Sequence, residues 1–121
     1  MPKRVLIADD HTLFAEALEA ILGSDDRIAV VGRARNGEEA VELTAALRPD
    51  VVLMDISMPV MDGIEATEKI VGSEPEARVL VLTGSDSPRD IDAARRAGAA
   101  GYVTKDRIAA ELVEAILEAA A

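Results

Sequence analysis

Residues 51–63 read VVLMDISMPVMDG, and this stretch indicates the fold of the whole chain. Its first four residues form a continuous apolar run that is typical of a strand inside a sheet. Asp55 ends the run, and a carboxylate in such a place is costly unless it is paired or binds a metal ion. Helix capping is the ordinary alternative for an isolated acid, so the remaining sequence has to decide between the two.

Short apolar runs alternate with longer amphipathic segments along the chain. Strands are expected at residues 4–8, 28–34, 50–54, 77–82 and 100–104. Each is followed by apolar residues at helical spacing. Five strand-then-helix units predict an α/β fold in which helices cover both faces of a parallel sheet. We expect one domain over residues 1–121.

Local signals place the ends of the predicted helices. Thr12 is a candidate cap for the first helix, whose apolar face is formed by Leu13, Phe14, Ala17, Leu18, Ile21 and Leu22. Asn36 is expected to cap the second helix, and Asp62 opens a capping-box pattern with Glu65. Ser87, followed by a proline, is expected to begin the fourth helix, which ends at Gly98. The fifth helix is expected from Ile108 onward.

Composition narrows the class of protein. With 13 basic and 23 acidic side chains the net charge is −10, which disfavours direct binding to nucleic acid. There is no cysteine, which excludes disulfides and cysteine metal sites. No apolar run is long enough for a signal peptide or a membrane span, so we expect a cytoplasmic protein without a membrane partner.

Polar residues follow four of the five predicted strands. The first strand ends in Asp9 and Asp10, the third in Asp55, the fourth in Thr83 and the fifth in Lys105. Ligands of doubly wound sheets bind at the carboxyl ends of the strands. In the flavodoxin-like order 2-1-3-4-5, the four ends would lie side by side.

Such a set of side chains suits phosphoryl chemistry. Three carboxylates repel one another unless a cation is bound, and their oxygens suit Mg²⁺, with Mn²⁺ as an alternative. Lys105 would neutralise phosphoryl oxygens, and Thr83 would orient them. A carboxylate can also accept a phosphoryl group covalently, and Asp55 is the best placed to do so.

These positions, together with Tyr102 three residues before the lysine and MPVMDG after Asp55, resemble the receiver domain of two-component response regulators. The similarity covers the whole chain, and the opening DDHTLFAEAL resembles the NarL/FixJ (LuxR-type) subfamily. The resemblance implies the flavodoxin-like (βα)5 fold with strand order 2-1-3-4-5.

The resemblance also implies residue roles. Asp55 would take a phosphoryl group from a phosphohistidine of a sensor histidine kinase. Asp10, Asp55 and the backbone carbonyl of Ser57 would bind Mg²⁺, and Asp9 would act mainly through water. Lys105 would contact the phosphoryl oxygens. No multiple-turnover activity on an external substrate is implied.

A switch is implied as well. Thr83 would move toward the phosphoryl group, and Tyr102 would swing inward, changing the surface formed by helix four, strand five and helix five. Receivers of this subfamily usually precede a helix-turn-helix output domain, and phosphorylation can drive dimerisation. This chain ends with the fifth helix, so we expect either a stand-alone receiver or phosphorelay intermediate, or part of a transcription factor.

Several positions depart from the family pattern or stay open. Asp106 follows Lys105 where many receivers have a proline with a cis peptide, which leaves the geometry of that loop open. Ser57 and Ser85 are small residues at positions that influence the access of water to the acyl phosphate. The only histidine, His11, is interpreted as a partly exposed residue at the start of a helix rather than a phosphoryl carrier.

Other functions remain as alternatives. A phosphohydrolase of the haloacid dehalogenase type would need a second acid two residues after the nucleophile, where this chain has Ser57. A nucleotidase with a P-loop is excluded, because the chain has no GxxxxGK[ST] motif. A degenerate receiver that binds a partner without phosphorylation is the third alternative.

Overall fold

The computed structural model describes residues 1–84 and 87–121. Within them, five strands form one parallel sheet: β1 (Lys3–Ala8), β2 (Ile28–Ala34), β3 (Val51–Asp55), β4 (Arg78–Thr83) and β5 (Gly101–Thr104). The helices are α1 (Thr12–Gly23), α2 (Gly37–Leu47), α3 (Gly63–Ser73), α4 (Pro88–Arg96) and α5 (Ile108–Ala120). A 3₁₀ turn, Lys105–Arg107, joins β5 to α5.

The strand order is β2-β1-β3-β4-β5, which confirms the predicted flavodoxin-like fold. β3 lies between β1 and β4, and all five of its residues are buried. Apolar side chains on the two faces of the sheet form two separate cores, one against α1 and α5 and the other against α2, α3 and α4. Among the described residues, no helix combines the length and the apolar character needed to cross a bilayer.

Most of the predicted helix signals are confirmed. The Asn36 side chain accepts a hydrogen bond from the Glu39 N–H at 2.8 Å, and Asp62 accepts one from the Glu65 N–H at 2.9 Å. α4 ends before Gly98, whose φ of 100° is the left-handed conformation that glycine adopts at helix ends.

Two expectations about α1 are wrong. Thr12 is the first helical residue, and the N-cap is His11, whose side chain makes no capping hydrogen bond. Leu13 and Ala17 were expected on the apolar face, but Leu13 is 82% exposed and Ala17 is exposed as well. Leu22 lies on the buried face of α1. Leu13 precedes it by nine residues, or about two and a half turns, and therefore faces the opposite side of the helix.

Candidate functional site

The carboxylates meet because β1 and β3 are neighbouring parallel strands. Ala8 is in register with Met54, so Asp9 and Asp55, one residue further on, leave the sheet at the same edge. Asp10 and His11 follow in the turn to α1. One potential ligand atom from each of Asp9, Asp10, His11 and Asp55 lies within 4.8 Å of the others.

Burial differs sharply within this cluster. Asp9 and Asp55 are only 4% and 2% exposed, and the Oδ2 atom of each is buried without a hydrogen-bond partner in the described part of the chain. The Asp10 side chain is 29% exposed and that of His11 is 67% exposed. Buried carboxylate oxygens without a partner are costly, so this part of the site is suited to a cation.

Lys105 supplies one positive charge. It extends from the turn after β5, and its Nζ lies 3.2 Å from Asp55 Oδ1. The pKa of Asp55 is nevertheless raised above its usual value, chiefly by burial and then by the charge of Asp9. Lys105 and the backbone N–H of Ser57 only partly oppose that rise. The negative charge of Asp55 is therefore only partly compensated. A bound cation would relieve its repulsion with the charge of Asp9.

Thr83 and Tyr102 occupy different places relative to the carboxylates. Thr83 ends β4, the strand beside β3, and is 2% exposed. Tyr102 lies on β5 and is 43% exposed. It lines a surface cavity of about 280 Å³ between β5 and α4, together with Ile91 and Arg95. Thus Asp9, Asp10, Asp55 and Lys105 form one cluster, while Tyr102 lies on the outer surface.

Comparison with known proteins identifies the family. Residues 5–117 match the response regulator receiver domain. The chain belongs to this family. It is 42% identical to the response regulator GacA of Pseudomonas viridiflava over 113 residues, which cover 93% of this chain and 53% of GacA. It is 35% identical to the nitrate/nitrite response regulator NarL of Escherichia coli over 120 residues, which cover 99% of this chain and 56% of NarL.

A solved structure agrees with this relationship. The receiver domain of the putative response regulator NarL from Mycobacterium tuberculosis superposes with a TM-score of 0.94 at 39% identity, covering 98% of this chain and 96% of that one. The relatives are consistent with the NarL/FixJ subfamily. The chain spans about half the length of the curated relatives it matches.

Asp106 and Ser57, two of the positions that the sequence left open, lie in the loops after β5 and β3. Asp106 is the exposed second residue of the 3₁₀ turn that carries Lys105. Ser57 is exposed in the loop between β3 and α3. In the same loop, the exposed Val60 has a φ of 70°, which is strained for a β-branched residue. Ser85 lies outside the described residues.

Phe14 contacts Lys105 of the site cluster, a role that the sequence did not predict. The sequence placed it on the apolar face of α1, but its ring centre lies 4.7 Å from Lys105 Nζ. An ammonium at this distance is attracted by the negative face of the ring. One signal was available, because Phe14 follows His11 by three residues and so belongs to the first turn of α1, at the site.

We expect Phe14 and Lys105 to be energetically coupled. In a double-mutant cycle with Phe14→Leu and Lys105→Met, the coupling in the free energy of unfolding should be about 0.5–1 kcal/mol, the usual size of a cation–π contact. Leucine and methionine keep the apolar volume, so the cycle isolates the charge-to-ring contact. Urea denaturation measures it.

Lys3→Met is the matched control for this cycle. Lys3 begins β1, and Asp9 follows the opposite end of that strand, at the site. Lys3→Met combined with Phe14→Leu should therefore be additive. If Phe14→Leu and Lys105→Met are additive as well, the Phe14 ring does not stabilise the Lys105 ammonium.

Proposed function

We propose that this receiver domain is switched by phosphorylation of Asp55, which takes the phosphoryl group from a phosphohistidine of a sensor kinase with the help of Mg²⁺. The observation that carries the proposal is the position of Asp55. Its carboxylate ends the buried central strand β3, lies 3.2 Å from Lys105 Nζ, and has one buried oxygen without a partner in the described residues. A rigid strand fixes such a nucleophile in place.

The donor atoms of the cluster fit Mg²⁺. Asp9, Asp10, Asp55 and the backbone carbonyl of Ser57 would provide only oxygen ligands, which Mg²⁺ and Mn²⁺ prefer. The unpartnered oxygens of Asp9 and Asp55 support this assignment, because no described residue forms a hydrogen bond with either of them. When bound, the metal ion supplies positive charge that offsets the charge of the phosphoryl oxygens.

The chemistry is a transfer to the protein itself. A carboxylate oxygen of Asp55 attacks the phosphorus atom, and an O–P bond forms while the P–N bond to the donor imidazole breaks. The electron pair of that bond returns to the imidazole nitrogen. The Lys105 ammonium, already beside Asp55, pairs with the transferred oxygens. In hydrolysis, water attacks the phosphorus atom, the O–P bond to Asp55 breaks, and inorganic phosphate leaves while the carboxylate is restored. The phosphoryl acceptor is thus the protein itself and not an external substrate.

The proposed switch involves Thr83 and Tyr102. Thr83 would approach the phosphoryl group from the neighbouring strand, and Tyr102 would turn inward toward the space this vacates. The surface of α4, β5 and α5 would change as a result.

The partner of this surface would be a helix-turn-helix output domain that controls transcription. The receiver would act in the cytoplasm, and phosphorylation would also drive the formation of homodimers. At a net charge of −10, this domain is not expected to bind nucleic acid itself.

The proposed function is tested by mass spectrometry. Incubation with acetyl phosphate and Mg²⁺ should add one phosphoryl group to the intact chain, and chelation of the metal with EDTA should prevent it. Borohydride reduction and peptide mapping should locate the acyl phosphate at Asp55. Asp26→Asn, which removes an exposed carboxylate from the turn before β2, is the matched control and should be labelled like the wild type. An unchanged mass, or a label elsewhere, would contradict the proposal.

A further inference from the structure

His11 belongs to the same cluster but is not used by the proposed phosphoryl chemistry. Its backbone N–H donates a hydrogen bond to Asp9 Oδ1 at 2.8 Å, which holds the start of α1 against the carboxylates. Its Nδ1 lies 3.2 Å from Asp10 Oδ1 and 3.5 Å from Asp9 Oδ1. The imidazole therefore faces two carboxylates at once.

These distances are compatible with shared ligands of one ion as well as with a direct ion pair. A charged hydrogen bond between an imidazolium and a carboxylate is typically about 2.7–2.9 Å long, and both separations of His11 exceed this. Two ligands bound at about 2.0–2.1 Å to a tetrahedral Zn²⁺ lie about 3.3 Å apart. The separations of 3.2 and 3.5 Å bracket that spacing.

A second observation indicates that the cluster is suited to a cation. The buried Oδ2 atoms of Asp9 and Asp55 have no hydrogen-bond partner in the described ranges. Both side chains are at least nine-tenths buried. One carboxylate oxygen from each of Asp9, Asp10 and Asp55 and one ring nitrogen of His11 lie within 4.8 Å of one another. A small inward movement of these side chains would bring all four atoms around one ion.

The nitrogen ligand determines the class of ion. Mg²⁺ prefers oxygen, whereas imidazole suits Zn²⁺, Ni²⁺ and Cu²⁺, and affinity for mixed nitrogen and oxygen sites rises from Mn²⁺ through Co²⁺ to Cu²⁺. We propose that His11 is a further ligand of this site and makes it bind borderline divalent ions such as Co²⁺, Ni²⁺ and Zn²⁺ in competition with Mg²⁺. The inference rests on the metal site of the proposed function, since both ions share its carboxylates.

Co²⁺ is the probe, because its visible spectrum reports nitrogen ligation and coordination geometry. The whole chain is titrated with Co²⁺, then with Mg²⁺, and finally with Mg²⁺ against bound Co²⁺. His11 is the only histidine and there is no cysteine, so a signal from an imidazole ligand can come only from His11. The variant is His11→Asn, because asparagine is a good N-cap residue and should preserve α1.

His11→Asn should weaken Co²⁺ binding by about tenfold or more and remove the imidazole signature, because it deletes a metal ligand. The Mg²⁺ affinity should change by less than about threefold, because Mg²⁺ favours the remaining oxygens. Equal Co²⁺ affinity in both proteins, or a parallel loss for the two ions, would overturn the inference. Failure of the wild type to bind Mg²⁺ would instead count against the proposed function, while the Co²⁺ titration would still test His11.

Discussion

Asp55→Asn is expected to abolish phosphoryl labelling completely and at the same time to stabilise the fold. The label is lost because the amide is not a nucleophile for phosphorus at neutral pH. Stability rises because the substitution removes a buried negative charge that burial and Asp9 both oppose. We expect a gain of about 1–2 kcal/mol at pH 7 without added metal, a factor of about 5–30 in the folding equilibrium.

The gain should depend on pH in a defined direction. The pKa of Asp55 is raised in the folded protein, so between its ordinary value of 3.8 and the folded value the folded state binds more protons than the unfolded state. The stability of the wild type therefore falls as pH rises through this window. Asparagine does not titrate, so the difference between the two proteins should be largest at neutral pH and should vanish below the ordinary pKa of aspartate.

Urea denaturation of wild type and Asp55→Asn from pH 3 to pH 8 measures this difference. Asp26→Asn is again the matched control, because an exposed carboxylate should give little change. Mg²⁺ should reduce the gap at neutral pH, since it binds the folded wild type and lacks one ligand in the variant. A variant that is less stable than the wild type at pH 7 would show that Lys105 fully compensates Asp55.

The strand ends of the site could be predicted from the sequence because the signal is local. A carboxylate directly after an apolar run is visible in the chain, and parallel strands bring such ends to one edge of the sheet. Asp9, Asp55 and Lys105 were found in this way. The strand order came from the family resemblance, since five alternating units alone do not determine which strands are neighbours.

The contacts made by α1 could not be predicted in the same way. Its sequence offers more apolar residues than one face can bury, so the rotation of the helix is set by packing against the sheet. Ala15, Leu18 and Leu22 face the core, which leaves Leu13 exposed and places Phe14 against Lys105. The position of His11 between two carboxylates depends on the same packing.

Gly63→Ala is expected to be strongly destabilising. An added Cβ would overlap the carbonyl oxygen of Asp55 and lie 2.9 Å from both the Asp55 carbonyl carbon and Ile56 Cα. These are backbone atoms, and the Gly63 N–H donates to the Ile56 carbonyl at 2.8 Å, so no side chain can move to make room. The loop after β3 must shift, at a cost of about 3 kcal/mol.

Gly72→Ala provides a control in the same helix. A Cβ at Gly72 would meet no described atom within 4 Å, so alanine should stabilise α3 by up to about 1 kcal/mol through its higher helix propensity. The two variants add the same methyl group and should change stability in opposite directions under urea denaturation. Because the shift caused by Gly63→Ala begins at Asp55, it should also slow labelling by acetyl phosphate. Equal stability of the two variants would mean that Gly63 does not fix the loop behind the phosphorylated residue.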